Sequence, residues 1–374
     1  MTIAWKAGLE GVVAARTGLT QINGTDGRLS LCGYDMSTLA PAAEFEEMMH
    51  LLWHGELPAM DEYEHCCAEL TQYRNLNSRD LQVLRAAAVR GLSPIEVLRL
   101  TLETVHLTRE TESTAVALVA AAPTIVANYW RLSQGLDVIE PACDLGYAAA
   151  FLHMLHGERP TDVETRCLET YLNTMVDHGL NASTFTARVI TSTRSDLRSA
   201  VVGALGALKG PIHGGAPEPV LEMLLQIGSA ERAEPWLRRA LARGSRIMGF
   251  GHREYRVRDP RAEILANAAA ALAQDRADST LYALGCAVEI SATRLLDEAK
   301  PGRNLRTNAE FYTAILLHQL GIAPQLFSAV FAMSRIVGWI AHCCEQQRVD
   351  RIFRPTSEYV GPPARSWVAR EQRA

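Results

Sequence analysis

The chain has 374 residues, 48% of them apolar, with a formal net charge of −5 and a pI near 6.1. That length exceeds one small core and points to one large domain or two. The mildly acidic balance gives no reason to expect nucleic acid or an anionic membrane surface as a partner.

Lysine occurs only at Lys6, Lys209 and Lys300, so a lysine Schiff base is a poor first expectation. The eight cysteines form two adjacent pairs and four singles, without C-x-x-C. Neither a disulfide framework nor a zinc site follows, and thiols in a reducing cytoplasm are expected. The N-terminal MTIAWKAGLEGVVAARTGLT lacks a basic region followed by an apolar run, so no signal peptide is read. No uncharged apolar stretch reaches the ~18 residues of a membrane span. The expectation is a soluble cytoplasmic protein.

In chain order, RTGLTQINGTDGRLSLCGYD alternates on either side of a Gly/Asn/Asp cluster and predicts one small β-ribbon. The pattern is helical almost everywhere else. LAPAAEFEEMMHLLWHGELP reads as a helix stopped by Gly55 and Pro58, and FLHMLHGERPTD ends the same way at Gly157 and Pro160. Further helices are predicted in SRDLQVLRAAAVRGL, PIEVLRLTLETV, ESTAVALVAAAPTIVANYWRLSQG, VETRCLETYLNTMVDHG, DLRSAVVGALGALKG, EPWLRRALARG, PRAEILANAAAALAQ and NAEFYTAILLHQLG. Many are alanine-rich, which favours helix. No fixed period recurs, so a solenoid is not expected. The Pro- and Arg-rich C-terminal segment reads as an extended tail. The fold class is all-α.

The chemistry is sparser. GFGHRE fails the dinucleotide fingerprint because Glu254 stands at the third glycine, and there is neither a P-loop nor a G-x-S-x-G elbow. His50 and His54, and His153 and His156, have helical spacing but lack H-E-x-x-H, so helix-end roles outweigh metal ligation. Three histidines differ. His178 sits where a helix meets Gly179, His213 is hemmed by Pro211, Gly214, Gly215 and Pro217, and His252 lies in GFGHREYR. Neighbouring glycines let a ligand approach the imidazole closely. Arg253, Arg256, Arg258 and Arg261 crowd the same region, and Asp259-Pro260-Arg261 reads as a helix start. Arginine forks beside a helix N-terminus suit carboxylates or phosphates. An ordinary solvated face would account for some of them.

These stretches resemble the citrate synthase family. The resemblance rests on HGLNASTFTARV, GPIHGGAPEPVLEML, GFGHREYRVRDPRAEIL, TNAEFYTAIL and FAMSRIVGWIAHCCEQ, in the family's order and spacing. It covers about residues 8 to 362, and the N-terminal GLEGVVAARTGLTQINGTDGRLSLCGYD and LLWHGELP look like the short bacterial form. It implies an all-α citrate synthase fold: a large domain (1–214 and 321–374 with the tail) and a small domain (215–320), closing over a cleft. It implies a homodimer, condensation of an acyl-CoA with oxaloacetate, thioester hydrolysis, and no metal or other cofactor. Acetyl-CoA giving citrate is the main expectation, and propionyl-CoA giving 2-methylcitrate is the alternative.

The resemblance also assigns residues. Glu310 matches the catalytic base. His213 would hydrogen-bond the thioester oxygen and His252 would polarise the keto group of oxaloacetate. Arg261 and Arg335 would grip its carboxylates, with His178 as a further contact and Arg354 reaching across from the other subunit. Arg256 and Arg303 match positions near the CoA phosphates, with Arg306 a neighbouring possibility. Three departures stand out: Glu310 where aspartate is usual, Gly179 where glutamate is common, and Pro217 where asparagine is common.

Overall fold

The computed structural model describes residues 5–105, 113–213 and 217–373. A 3₁₀ turn at Ala7–Leu9 precedes three antiparallel strands in the order β1 (Thr20–Asn23), β2 (Arg28–Leu31) and β3 (Tyr34–Asp35). Thr20 pairs with Leu31, and Ser30 pairs with Asp35. The expected ribbon has therefore gained a strand. Cys32 and Gly33, both at positive φ, turn the chain tightly enough for Tyr34 and Asp35 to pair back.

Helices account for most of the rest. They are α1 (Met36–Ala42), α2 (Phe45–His54), α3 (Met60–Tyr73), α4 (Ser78–Val89), α5 (Pro94–Thr104), α6 (Ser113–Ser133), α7 (Tyr147–His156) and α8 (Asp162–Met175). There follow α9 (Ala182–Ser192), α10 (Leu197–Leu208), α11 (Pro217–Ile227), α12 (Ala230–Ala242), α13 (Pro260–Asp275), α14 (Thr280–Ala299), α15 (Ala309–Gln319) and α16 (Phe327–Val349). The fold is all-α with a small N-terminal sheet.

Local chemistry explains the boundaries. Gly55 and Gly157 end α2 and α7 in the left-handed conformation that an L side chain resists. The helix expected across residues 39–54 is broken at Ala43, because Glu44 caps a new helix. Its backbone N–H donates to Glu47 Oε2 at 2.8 Å. Helix α9, absent from the predicted set, forms despite the β-branched run in STFTARV. Asn181 caps it by accepting from Thr184 N at 3.1 Å, and Ala187 and Arg188 are buried. Tertiary contact overrides weak propensity there.

Helix α16 is the spine of the larger group of helices. Ile336, Val337, Trp339 and Ile340 on it are buried, and it packs against α2, α5, α6, α8, α9 and α10. Each such side chain contributes roughly 1.5–3 kcal/mol by leaving water. A second group pairs α13 with α15, α12 with α14, and α11 with α15. The two groups meet where α8 lies on α13. The small side chains of ANAAAALA on α13 allow that close approach.

By length and hydropathy alone, Thr114–Ser133 in α6 and Pro324–Val349, which is α16 with the 3₁₀ turn before it, could cross a bilayer, although neither is free of charged residues. The apolar windows are 78% and 89% buried inside the protein, which makes them core helices. The C-terminal tail is extended and exposed, as expected, and is pinned near its start by Phe353 edge-on to Phe185 at 5.4 Å. The domain boundary expected at residues 214/215 lies outside the described residues.

Candidate active site

The site is built at the seam between the two helix groups. One wall is the segment 249–259. Its backbone is laced to the strand-like approach to α15: Gly251 N donates to Arg306 O at 2.7 Å, Asn308 N to Gly249 O at 3.0 Å, and Asp259 N to Thr307 O at 3.0 Å. The turn between β1 and β2 braces the outer side. Arg256 N donates to Gly24 O at 2.9 Å, and a Cβ on Gly24 would fall 2.0 Å from Glu254 O.

His252 is fixed in this wall by its own loop. Its Nδ1 accepts from Glu254 N at 3.0 Å and Tyr255 N at 3.3 Å. A nitrogen that accepts two amide protons carries none, so the proton of the neutral ring sits on Nε2. Burial, then Arg261, lowers the His252 pKa to about 4 despite the opposing pull of Asp259. The ring is therefore a neutral donor at pH 7. Tyr255 lies against it with ring centroids 4.8 Å apart.

Asp259 caps α13 and holds Arg261. Its carboxylate accepts from Arg261 N at 3.0 Å, Nε at 3.1 Å and Nη2 at 2.8 Å, and from Ala309 N at 3.2 Å. One buried carboxylate thus ties the start of α13 to the start of α15, where the next residue is Glu310. Burial pushes the Glu310 carboxyl up and Asp259 adds to the rise. Arg261 and Arg335 pull it down, and the balance is a pKa of about 7.

The opposite wall comes from α8, the loop after it, and α16. Arg335 is buried, donates through Nε to Met175 O at 2.7 Å, and stacks over Phe331 at 4.6 Å. Burial lowers its pKa to about 10 even though Asp177 pulls upward, so it remains charged at neutral pH. Helix α8 ends at Met175, so His178 lies in the following loop rather than at the helix end. Beyond the helix, Val176 and Asp177 pack against α16. A Cβ on Gly338 would fall 2.3 Å from Val176 O. Asp177 accepts from Thr20 Oγ1 and from Gly179 N, and lies 3.2 Å from His342 Nε2. His178 Nε2 is 3.1 Å from the Tyr255 hydroxyl, and its ring meets His252 edge-on at 5.4 Å. Burial, with Arg261, His252 and Arg335, holds His178 well below the ordinary histidine pKa.

His213 ends the described stretch after α10. Its Nε2 is 2.8 Å from Ser183 Oγ and 3.3 Å from Ser183 N. Burial and then Arg335 lower its pKa to about 4. Three neutral imidazoles, two arginines and one carboxyl that titrates near neutrality thus share one electrostatic environment.

Six of the candidate residues come together here: His178, His213, His252, Arg261, Glu310 and Arg335. The other four do not join them. Arg354 is exposed, and its guanidinium reaches only the carbonyl of Pro355 among the described residues. The Arg256 and Arg303 side chains are exposed without an ion-pair partner among the described residues. Arg306 pairs with Asp297 at 2.8 Å. Arg258, which the sequence allows as merely solvated, instead forks onto Glu289 at 2.7 and 3.1 Å and lies over Tyr312. Sequence reasoning misses Asp259 as the arginine's anchor, Tyr255, Ser183 and Asp177. Only Asp259 carried a signal, as a helix cap. The paired histidines serve as helix-end groups: His50 Nδ1 meets Glu56 O and His156 Nε2 meets Leu320 O, each at 3.0 Å. Among the described residues no three His, Cys, Asp or Glu side chains form a metal-binding group.

Comparison with known proteins decides the family. The model of the citrate synthase C-terminal domain matches residues 8–356. The chain belongs to the citrate synthase family. It is 40% identical to a citrate synthase of Haloferax volcanii over 95% of this chain and 96% of the other. It is 37% identical to a 2-methylcitrate synthase of Shewanella oneidensis over 97% and 96%. Its fold superposes, with a TM-score of 0.87, on citrate synthase from Thermoplasma acidophilum solved as a ternary complex with carboxymethyl coenzyme A and oxaloacetate. That protein is 27% identical over 98% of both chains. Membership makes the chain an acyltransferase, and the expectation drawn from the five motifs holds at the level of family, fold and enzyme class.

Proposed function

We propose that this enzyme condenses acetyl-CoA with oxaloacetate and water to give citrate and CoA. The observation that carries the reading is the convergence of Glu310 with His252, Arg261 and Arg335 at the seam. Arg261 and Arg335, with His178, hold the two carboxylates of oxaloacetate, and guanidinium forks suit a planar dianion. His252 Nε2–H donates to the keto oxygen and makes its carbon electrophilic. Glu310 removes a proton from the methyl carbon of acetyl-CoA while neutral His213 donates to the thioester oxygen. The new carbon–carbon bond forms as the keto oxygen takes a proton, and water then cleaves the thioester to release CoA.

Neutral histidines suit this chemistry. A weakly acidic C–H yields an enol more readily when a neutral donor, already oriented, faces the oxygen that gains charge. Arg256 and Arg303 are free to meet the CoA phosphates, whereas Arg306 must first leave Asp297. Arg354 lies on the exposed tail, which suits completion of the site of a second copy in a homodimer. We also assign the small domain to 215–320 and place closure at the seam between α8 and α13. The reaction needs no metal or cofactor beyond the acyl-CoA, and eight free thiols suit a reducing cytoplasm.

The likeness to a 2-methylcitrate synthase supports propionyl-CoA as a second substrate. One methylene in an apolar pocket discriminates by only about 1–3 kcal/mol. The test is release of CoA thiol with oxaloacetate and either acyl-CoA. Release that depends on oxaloacetate is expected, and the ratio of the two kcat/KM values names the preferred acyl group. Thiol release indifferent to oxaloacetate would overturn the reading.

A further inference from the structure

The hydroxyl of Ser183 stands at a branch point. Its Oγ lies 2.8 Å from His213 Nε2, 2.8 Å from Asn181 Oδ1 and 3.1 Å from Nε1 of Trp339. The indole N–H can only donate, so it occupies one lone pair of Oγ. The single hydroxyl proton then has two possible acceptors, Asn181 and His213, and can serve one at a time.

The choice decides which nitrogen of His213 is protonated. If the hydroxyl donates to Asn181, His213 must donate from Nε2 to Oγ, and Nδ1 is left as a bare acceptor. If the hydroxyl donates to His213, Nε2 accepts from it and from Ser183 N at 3.3 Å, and the ring proton sits on Nδ1. Nε2 is taken by Ser183 in either case. His213 can therefore donate to a thioester oxygen only in the second arrangement.

Three features favour that second arrangement. The Ser183 amide donates to Nε2 at 3.3 Å there, whereas it would face a second proton in the first. Asn181 Oδ1 already accepts from Thr184 N at 3.1 Å, so it does not need the serine proton. An oxygen that accepts a hydrogen bond from Trp339 becomes a better donor and a poorer second acceptor. Trp339 is itself fully buried on α16, the spine helix, so its N–H is rigidly aimed.

We infer that Trp339 is a positioning residue for His213: by donating to Ser183 Oγ it turns the serine hydroxyl toward Nε2 and keeps the imidazole proton on Nδ1. The inference deepens the proposed condensation and rests on the role given there to His213. The indole touches no reacting atom, so its effect passes wholly through Ser183.

The experiment is ¹⁵N spectroscopy of the histidine-labelled full chain, with His213 assigned by its loss in His213→Asn. Wild type is expected to show His213 protonated on Nδ1, and Trp339→Phe to shift population toward Nε2. Ring shifts unchanged in Trp339→Phe, or wild type already protonated on Nε2, overturn the inference. Kinetics supply a second readout. Trp339→Phe should lower kcat about three- to tenfold with oxaloacetate half-saturation unchanged. It should have no further effect in a Ser183→Ala background. An equal loss in both backgrounds would mean a merely structural tryptophan and would also overturn the proposal. A wild type without oxaloacetate-dependent thiol release would sink the functional reading alone, because the ring shifts are read without turnover.

Discussion

His252 Nε2 and Arg261 Nη2 face each other across 3.3 Å, and both carry protons. The histidine's other nitrogen is spent on two backbone amides, and the guanidinium is fixed by Asp259. Two fixed donors this close do not bond to each other. Both are left facing the same space, and the adjacent keto and carboxylate oxygens at one end of oxaloacetate would give each donor its own acceptor.

Arg261→Ala should therefore weaken oxaloacetate more than it slows chemistry. Loss of a charge-assisted hydrogen bond is worth about 1.5–3 kcal/mol, or roughly a 10- to 100-fold rise in half-saturation. The variant should also lose stability, by about 3–5 kcal/mol, because buried Asp259 is left without its partner. Steady-state titration with oxaloacetate and urea denaturation check the two halves. An unchanged half-saturation would refute the assignment.

The Glu310 carboxyl titrates at about 7, above its ordinary 4.5. A base must be ionised, so kcat/KM should rise with pH through about 7. The histidines add no such limb because they are already neutral there. Glu310→Gln should lose roughly 10²–10⁴ in rate while still binding oxaloacetate. The stability sign is opposite to that of an ordinary paired carboxylate. Because the folded pKa is raised from 4.5 to about 7, the carboxyl's contribution to stability is fully present below about pH 4.5 and is lost as pH rises through about 7, so the Gln variant should gain thermal stability relative to wild type at about pH 8 and not at about pH 4.

Glu310→Asp shortens the side chain by one methylene and withdraws the carboxylate by ~1 Å. A retreat of that size costs on the order of 10²-fold in rate. The acetyl-CoA reaction at saturating oxaloacetate measures it. A variant as fast as wild type would show that this site does not depend on the glutamate's length.

Gly338→Ala should disturb the site from the outside. The added Cβ would meet Val176 O at 2.3 Å and Asp177 Oδ1 at 3.0 Å, so the loop bearing His178 must move. Overpacking costs about 1–3 kcal/mol. Oxaloacetate half-saturation should rise with it, whereas an Ile336→Val change on the same helix should lower stability by about 0.5–1.5 kcal/mol and leave half-saturation alone.

Asp177 should stabilise the fold above acid pH. Burial would raise its carboxyl, but His342, Arg335 and Thr20 outweigh burial and hold it down to about 2, against an ordinary 3.8. The contribution is complete above about pH 4, is lost as pH falls through about 2, and amounts to about 2 kcal/mol. The stability gap between wild type and Asp177→Asn should narrow over that window, as followed by denaturant titration at each pH.

Helix stops at Gly55 and Gly157, the cap at Asp259 and the alanine-rich helices were legible because they depend on residues a turn apart. Helix α9 was not, since its propensity is weak and its stability comes from burial of Ala187 and Arg188. Arg258 reads as one more surface cation until Glu289, on another helix, is seen to hold it. His178 and His252 were conspicuous by their glycines, yet nothing in the sequence places their rings 5.4 Å apart.

What the sequence determined by itself was local and chemical: helical periodicity, the stops and caps, and a set of histidines, arginines and one glutamate in motifs specific enough to name a family. The tertiary structure set which nitrogen of His252 carries the proton, which arginines are already paired, and that burial raises the Glu310 carboxyl to about 7. The physical reason is range. Helix formation depends on neighbours within about four residues, whereas tautomers, ion pairs and burial depend on groups that the fold brings together from helices more than a hundred residues apart, such as Ser183 and Trp339.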